Sequence, residues 1–123
     1  MSTEADIWPT EIRLSADRRL LTIAFDDGLH AGLSAEYLRV ESPSAEVRGH
    51  SPAERKTVGG KRDVTIASIE PIGNYAIKID FDDGHSTGIY GWRFLAELER
   101  RRDEIWGEYL KRLEEQGLSR DPR

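Results

Sequence analysis

Leu21-Thr22-Ile23-Ala24-Phe25-Asp26-Asp27-Gly28 and Ile77-Lys78-Ile79-Asp80-Phe81-Asp82-Asp83-Gly84 are one phrase written twice, 56 positions apart. Apolar residues alternate into each copy (Leu21, Ile23, Phe25; Tyr75, Ile77, Ile79, Phe81). Each copy is followed at the same distance by Gly32-Leu33 or Gly88-Ile89. Alternation of period two that ends on Asp-Gly predicts a β-hairpin, because Asp and Gly tolerate the positive φ of a type I′ turn. Two hairpins are therefore expected, over roughly 20–33 and 75–89.

Beyond each hairpin the apolar spacing becomes helical. Ser34 is placed to cap a short helix, Ala35 to Arg39, which Pro43 limits. The second hairpin leads into a much longer helix that begins near Gly91 or Trp92. Strands are also expected at Thr10 to Leu14 and at Val64 to Glu70, ahead of the turn sequence Pro71-Ile72-Gly73-Asn74. The layout is α+β: an antiparallel sheet built from two Asp-Gly hairpins, each followed by a helix, with a long C-terminal helix. Between the repeats, Glu41 to Asp63 is rich in Ser, Pro, Gly and charge, and reads as a long loop.

In the C-terminal helix Leu95, Leu98, Ile105, Trp106, Tyr109, Leu110 and Leu113 recur at three- and four-residue steps, and Gly117 is a natural stop. About 25 helical residues span roughly 37 Å, more than a domain of this size needs to cover its sheet. The distal half is expected either to project toward a partner helix or a second copy, or to fold back through Ile105, Trp106 and Tyr109. Residues 99–123 hold 14 of the 41 charges (18 basic and 23 acidic in the whole chain), seven of each sign. Arg100 to Arg102 is embedded among Glu97, Glu99, Asp103 and Glu104 and reads as a solvated face.

At 123 residues the chain is one domain, long enough to bury a core without disulfides. It has no cysteine, which excludes disulfides, iron-sulfur ligation and cysteine-type zinc sites for this chain alone. No apolar run approaches the roughly 18 residues of a membrane span. The acidic opening Met1-Ser2-Thr3-Glu4-Ala5-Asp6 is unlike a signal peptide, so a cytoplasmic protein without membrane contact is expected. The formal net charge of -5 argues against nonspecific attachment to nucleic acid.

The pairs Asp26/Asp27 and Asp82/Asp83 read as turn residues, since adjacent strand-end side chains diverge and the alternating oxygen ligands of an EF-hand are missing. His30, His50 and His85 form no His-x-Asp or His-x-x-x-His motif. His30 reads as an exposed strand residue, His50 as a loop residue and His85 as a surface or capping residue. Ser42, Ser44 and Ser51 lack a Gly-x-Ser-x-Gly context, and Gly59-Gly60-Lys61 lacks the rest of a phosphate loop. What remains is charge: between Arg48 and Arg62, five basic residues (Arg48, Arg55, Lys56, Lys61, Arg62) face one acid, Glu54. Arg48, Lys56, Lys61, Arg62 and His85 are the candidate ligand-binding residues for a small anion. Tyr90, Trp92, Trp106 and Tyr109 are the candidate interaction residues.

Taken in order, Trp8-Pro9-Thr10-Glu11-Ile12, the Phe-Asp-Asp-Gly phrase, Tyr37-Leu38-Arg39, Ser42-Pro43-Ser44-Ala45-Glu46-Val47-Arg48-Gly49 and Asp83-Gly84-His85-Ser86-Thr87-Gly88-Ile89-Tyr90-Gly91-Trp92 resemble the gamma-butyrobetaine hydroxylase-like N-terminal domain family, over about residues 8–98. The resemblance implies a small α+β domain that precedes the oxygenase domain in gamma-butyrobetaine and trimethyllysine dioxygenases, is appended to some Mrp-type iron-sulfur carrier ATPases, and stands alone in many bacteria. For zinc-binding members it implies a Cys-x-Cys-x-x-Cys cluster and a later histidine. Those positions here are Ser42, Ser44, Val47 and His85, so neither a metal site nor any other cofactor is expected. Packing of Val40 and Val47 against the sheet is expected to hold this segment in place of a metal.

The resemblance places the oxygenases' iron ligands and 2-oxoglutarate pocket in a following domain, so no enzyme activity is expected. The chain divides into a domain over 8–98 and a charged helical extension over 99–123. The expected function is a noncatalytic protein-interaction or adaptor domain, with an unknown protein partner or self-association through the C-terminal helix. The alternative is binding of a small anionic ligand, or an accessory role to an enzyme, through the basic 48–62 loop near His85.

Overall fold

The computed structural model describes residues 7–122. Along the chain run β1 (Pro9–Leu14), β2 (Leu20–Phe25), β3 (His30–Ser34), α1 (Ala35–Val40), α2 (Ala45–Arg48), a 3-10 turn (Pro52–Glu54), β4 (Ile66–Ile72), β5 (Ala76–Phe81), β6 (Ile89–Gly91), α3 (Trp92–Arg100) and α4 (Arg102–Glu115). The acidic opening, Met1 to Asp6, and Arg123 lie outside the described residues. The strands form two three-stranded antiparallel sheets, β1-β2-β3 and β4-β5-β6, where one sheet was expected. Each sheet is a lead strand plus one copy of the repeated hairpin, and each is followed by a helix. The repeated phrase is thus a repeated architecture.

Leu21, Ile23 and Phe25 of β2 and Ile77, Ile79 and Phe81 of β5 are buried, because a strand turns every second side chain to one face. They meet in a single core with Leu33 of β3, Ile66 of β4, Tyr90 of β6, Tyr37 and Leu38 of α1, and Leu95 and Leu98 of α3. The sheets are tied directly as well. The Ile66 amide donates to Arg18 O at 2.9 Å, and the Arg18 guanidinium donates to the carbonyls of Ile66 and Ala67 at 3.3 and 2.8 Å.

The Asp-Gly turns are not type I′. Gly28 (φ +93) and Gly84 (φ +91) take positive φ while the aspartates before them do not. The amides of Gly28 and Gly84 donate to Phe25 O and Phe81 O at 3.1 Å, and those of Phe25 and Phe81 to Leu29 O and His85 O at 2.9 Å. This is a three-residue hairpin loop with a left-handed glycine. Its extra residue accounts for the doubled aspartate. Oδ1 of Asp26 accepts the Trp8 amide at 3.1 Å, and Oδ1 of Asp82 accepts the Thr65 amide at 3.0 Å. Oδ1 of Asp27 accepts from the Leu29 amide at 3.0 Å, and Oδ1 of Asp83 from the His85 amide at 3.1 Å. In both copies the first aspartate docks the incoming chain and the second fastens its own turn.

The two copies part company on the return strand. In the first hairpin Thr22 faces Gly32, so a faithful second copy would set Lys78 against Gly88; Lys78 instead faces Ile89. A slip of one residue exchanges the two faces of a strand. Leu33 is accordingly buried, while its sequence counterpart Ile89 is 48% exposed and Tyr90 points inward.

The long helix is broken at Arg101 (φ -108, ψ 24). α4 folds back onto the domain and does not project. Tyr109 and Leu113 are buried with Val40, the Tyr109 hydroxyl donates to Val58 O at 2.6 Å, and Trp106 meets Tyr37 edge-on at 5.9 Å. Val40 therefore packs on α4, not on a sheet. The stretch 41–63 is also more than a loop. Besides α2 and the 3-10 turn it contributes Glu41, a buried carboxylate surrounded by Arg55 at 2.8 Å, Arg48 at 3.4 Å and Arg112 of α4 at 3.6 Å.

Candidate functional site

The return strand β6 begins only at Ile89, so residues 85–88 lie outside it, held to β5 through His85 O and Gly88 O, and a connected polar cluster forms there. His85, read from sequence as a surface residue, is buried, its side chain only 5% exposed. Nε2 lies 2.9 Å from Ser42 Oγ and Nδ1 lies 3.2 Å from Glu46 Oε1. Ser42 Oγ also accepts the Ser44 amide at 3.2 Å. Ser44 Oγ caps α2 by accepting the Glu46 amide at 3.1 Å, and it lies 2.7 Å from Thr87 Oγ1. Thr87 in turn donates to Glu46 Oε1 at 2.7 Å. One donor assignment satisfies the whole set: Ser44 donates to Thr87, Ser42 donates to Nε2, and Nδ1 carries the imidazole proton toward Glu46. Burial, and then the nearby Arg39, lower the His85 pKa, in keeping with a neutral ring.

Asp83 stands beside this cluster. Burial alone would raise its carboxyl, but hydrogen bonds from Lys61 Nζ at 2.6 Å, the His85 amide and Arg39 Nε at 2.8 Å hold it at about 2. Arg39, Glu46, Val47, Lys56, Val58, Asp83, Gly84 and His85 line an open cleft of about 410 Å³. Two of the residues expected from sequence, Lys56 and His85, line it, and Lys61 reaches it through Asp83. The others do not join them. Arg48 turns to Glu41 and sits 5.7 Å from the centre of the Phe94 ring, and Arg62 pairs with Asp121. Arg39 and Glu46 were missed. Their one sequence signal was membership of the Tyr37-Leu38-Arg39 and Ser42-to-Gly49 motifs.

The expected aromatic interaction run is corrected by burial. Tyr90 lies in the core with its hydroxyl donating to Leu38 O at 2.6 Å, Tyr109 is buried where α4 packs on Val40, and Trp106 is half-buried against Tyr37. Trp92 belongs to a different group. With Ile7, Trp8, Tyr75, Gly91, Arg93 and Phe94 it lines a second cleft of about 280 Å³. Trp8 is 42% and Tyr75 59% exposed, and the Trp92 indole donates to Asn74 O at 3.0 Å. Trp8 comes from the chain entering β1, Tyr75 from the β4–β5 turn and Trp92 from the start of α3. Three positions far apart in sequence meet there, which no local pattern announces.

Ser42, His85 and Glu46 stand in the order of an acyl-transfer triad. Ser42 is fully buried, however, and lines no part of the cleft, so a substrate carbonyl has no path to its Oγ. The four positions of the zinc pattern do not fit a metal either. They offer one imidazole nitrogen already bonded to a hydroxyl, a second hydroxyl committed to a helix cap, and the isopropyl group of Val47. Among the described residues no three His, Cys, Asp or Glu side chains are grouped to hold a metal ion.

The family model described as gamma-butyrobetaine hydroxylase-like, N-terminal, matches residues 12–96. The chain belongs to this family. Solved structures similar to this gamma-butyrobetaine hydroxylase-like N-terminal domain include two solution NMR structures. One is 44% identical with a TM-score of 0.82, covering 99% of this chain and 92% of that one. The other is 42% identical with a TM-score of 0.80, covering 94% and 91%. A crystal structure of a protein of unknown function of the DUF971 family, from Acidithiobacillus ferrooxidans, is 33% identical with a TM-score of 0.64, covering 80% of this chain and 98% of that one. No functionally curated protein matches the chain. Among the described residues no helix of the domain is long and apolar enough to cross a membrane.

Proposed function

We propose that the domain is a noncatalytic binding module that acts through protein contacts, with the Trp8–Tyr75–Trp92 cleft as its contact face. The observation that supports this is the convergence of four aromatic side chains, Trp8, Tyr75, Trp92 and Phe94, the first two well exposed, on one open concavity. Isolated exposed apolar residues are ordinary on protein surfaces. Aromatic residues gathered around a pocket, with an arginine in the same lining, have the composition of interface hot spots.

The test is quantitative affinity capture with the parent and with a Trp8→Ala/Tyr75→Ala variant whose fold is verified by circular dichroism. Partners enriched by the parent are expected to be lost from the double variant and kept by Lys56→Ala/Lys61→Ala. An unchanged set of enriched partners in the Trp8→Ala/Tyr75→Ala capture refutes the reading.

A second reading is favoured by the other cleft, where Arg39, Lys56 and His85 gather and Lys61 is one contact away: binding of a small anionic ligand, or an accessory role to an enzyme that uses one. Calorimetric titration with inorganic phosphate and simple carboxylates tests it. Binding to the parent that is lost in Lys56→Ala/Lys61→Ala supports it, and equal heats from both proteins rule it out.

A further inference from the structure

After α4 the chain turns at Gly117 (φ +67) and returns along the segment that precedes β4. The Gly60 amide donates to Ser119 O at 2.8 Å and the Arg62 amide to Arg120 O at 3.0 Å. Residues 119–120 are thus clasped against 60–62 by two main-chain hydrogen bonds outside either sheet, and the next residue, Asp121, pairs with the Arg62 side chain. Arg120 leaves this line sideways. Its Nε and Nη2 bond the two oxygens of Glu36 at 2.8 and 2.7 Å, and its guanidinium sits 5.1 Å from the centre of the Trp106 ring. The Glu36 side chain is only 7% exposed, and a carboxylate that deep is unfavourable unless a cation meets it. Beside Arg120 an open cavity of about 320 Å³ continues between Tyr37, Arg102, Asp103 and Trp106.

We propose that this is a recognition groove for an arginine-bearing peptide segment. The chain's own residues 119–121 occupy it in cis, and the arginine segment of a partner protein binds by displacing them. The pieces are a main-chain clasp and one specificity pocket: two main-chain hydrogen bonds hold the segment in place, and a bidentate carboxylate backed by an indole face selects a guanidinium. Arg62 favours an acidic residue immediately after the arginine, as Asp121 is here. Lysine cannot reproduce the two-pronged contact. A tethered segment competes at an effective concentration on the order of millimolar, so the groove answers to a partner only when that partner is tight or locally abundant. It shares no lining residue with the aromatic cleft and does not depend on the role assigned there.

A fluorescein-labelled peptide of residues 117–122, titrated by anisotropy against the whole chain, tests the proposal. Arg120→Ala is expected to bind the peptide at least about tenfold tighter than the parent does, because the tethered competitor has lost its anchor. A peptide with Gln or Lys in place of the arginine is expected to bind either protein far more weakly than the arginine peptide. The proposal is overturned if Arg120→Ala binds no better than the parent, or if the arginine and glutamine peptides bind alike. The peptide comparison is made on the parent as well, at higher peptide concentration, so it does not depend on how the variant folds.

Discussion

His85 is neutral because of where it sits, and that position has a consequence for stability. Its folded-state pKa lies below the ordinary 6.5, so in acid the unfolded chain takes up a proton that the folded chain resists. The stability associated with the neutral ring is complete above about pH 6.5 and is lost as the pH falls through the lowered folded value. Asp83, held at about 2, titrates well below this window. His85→Gln should therefore lose about 1–3 kcal/mol at pH 7.5, where a buried bonded network is broken, and should show a flatter stability profile between pH 7.5 and 5. Urea midpoints across that range check both, and a profile as steep as the parent's would mean that another group titrates. Little of this was legible in the sequence. His85 follows a turn, and residues after turns are mostly exposed; what buries it is Ser42 and Glu46, some forty positions away.

At the scale of elements, Glu41 fastens the 41–63 segment to α4 through three guanidinium groups and one carboxylate. Such a cluster is asymmetric. Removing one arginine leaves the carboxylate with two partners, whereas Glu41→Gln leaves three cations facing one another in a half-buried site. We expect Glu41→Gln to cost on the order of 3–5 kcal/mol and Arg55→Ala clearly less, measured by chemical denaturation; equal losses would mean that packing, not charge, holds the segment. The strands and the first helix were readable because their signals are local: alternation, a serine cap, a turn glycine. The break at Arg101 was not. Helical spacing carries on through it, and what bends α4 back is the docking of Trp106, Tyr109 and Leu113 on Val40 and Tyr37, partners set by tertiary structure.

Over the whole molecule, the two sheets share one set of buried side chains, and neither repeat has a core to itself. Unfolding should therefore be a single cooperative transition with matching calorimetric and van't Hoff enthalpies. Two resolved transitions would mean that the repeats are separate domains. The duplication itself was visible in the chain, because the repeated phrase spans strand, turn and returning glycine. That it would produce two sheets was not, because alternation gives the buried face of a strand and says nothing about which strands share a ladder.

The slip of one residue between the hairpins gives the molecule an internal reference. Gly32 and Gly88 began as equivalent letters of a duplicated phrase, yet a Cβ at Gly32 would come no nearer than 4.0 Å to Leu20 Cδ1, whereas one at Gly88 would meet Ser42 Oγ at 2.6 Å and Tyr90 Cε1 at 2.9 Å. Gly32→Ala should be close to neutral and Gly88→Ala should lose about 1–3 kcal/mol, a contrast that thermal melts of the two variants read directly. One half of the chain thus shows the hairpin without the His85 cluster, and the other how its return strand differs where that cluster is held.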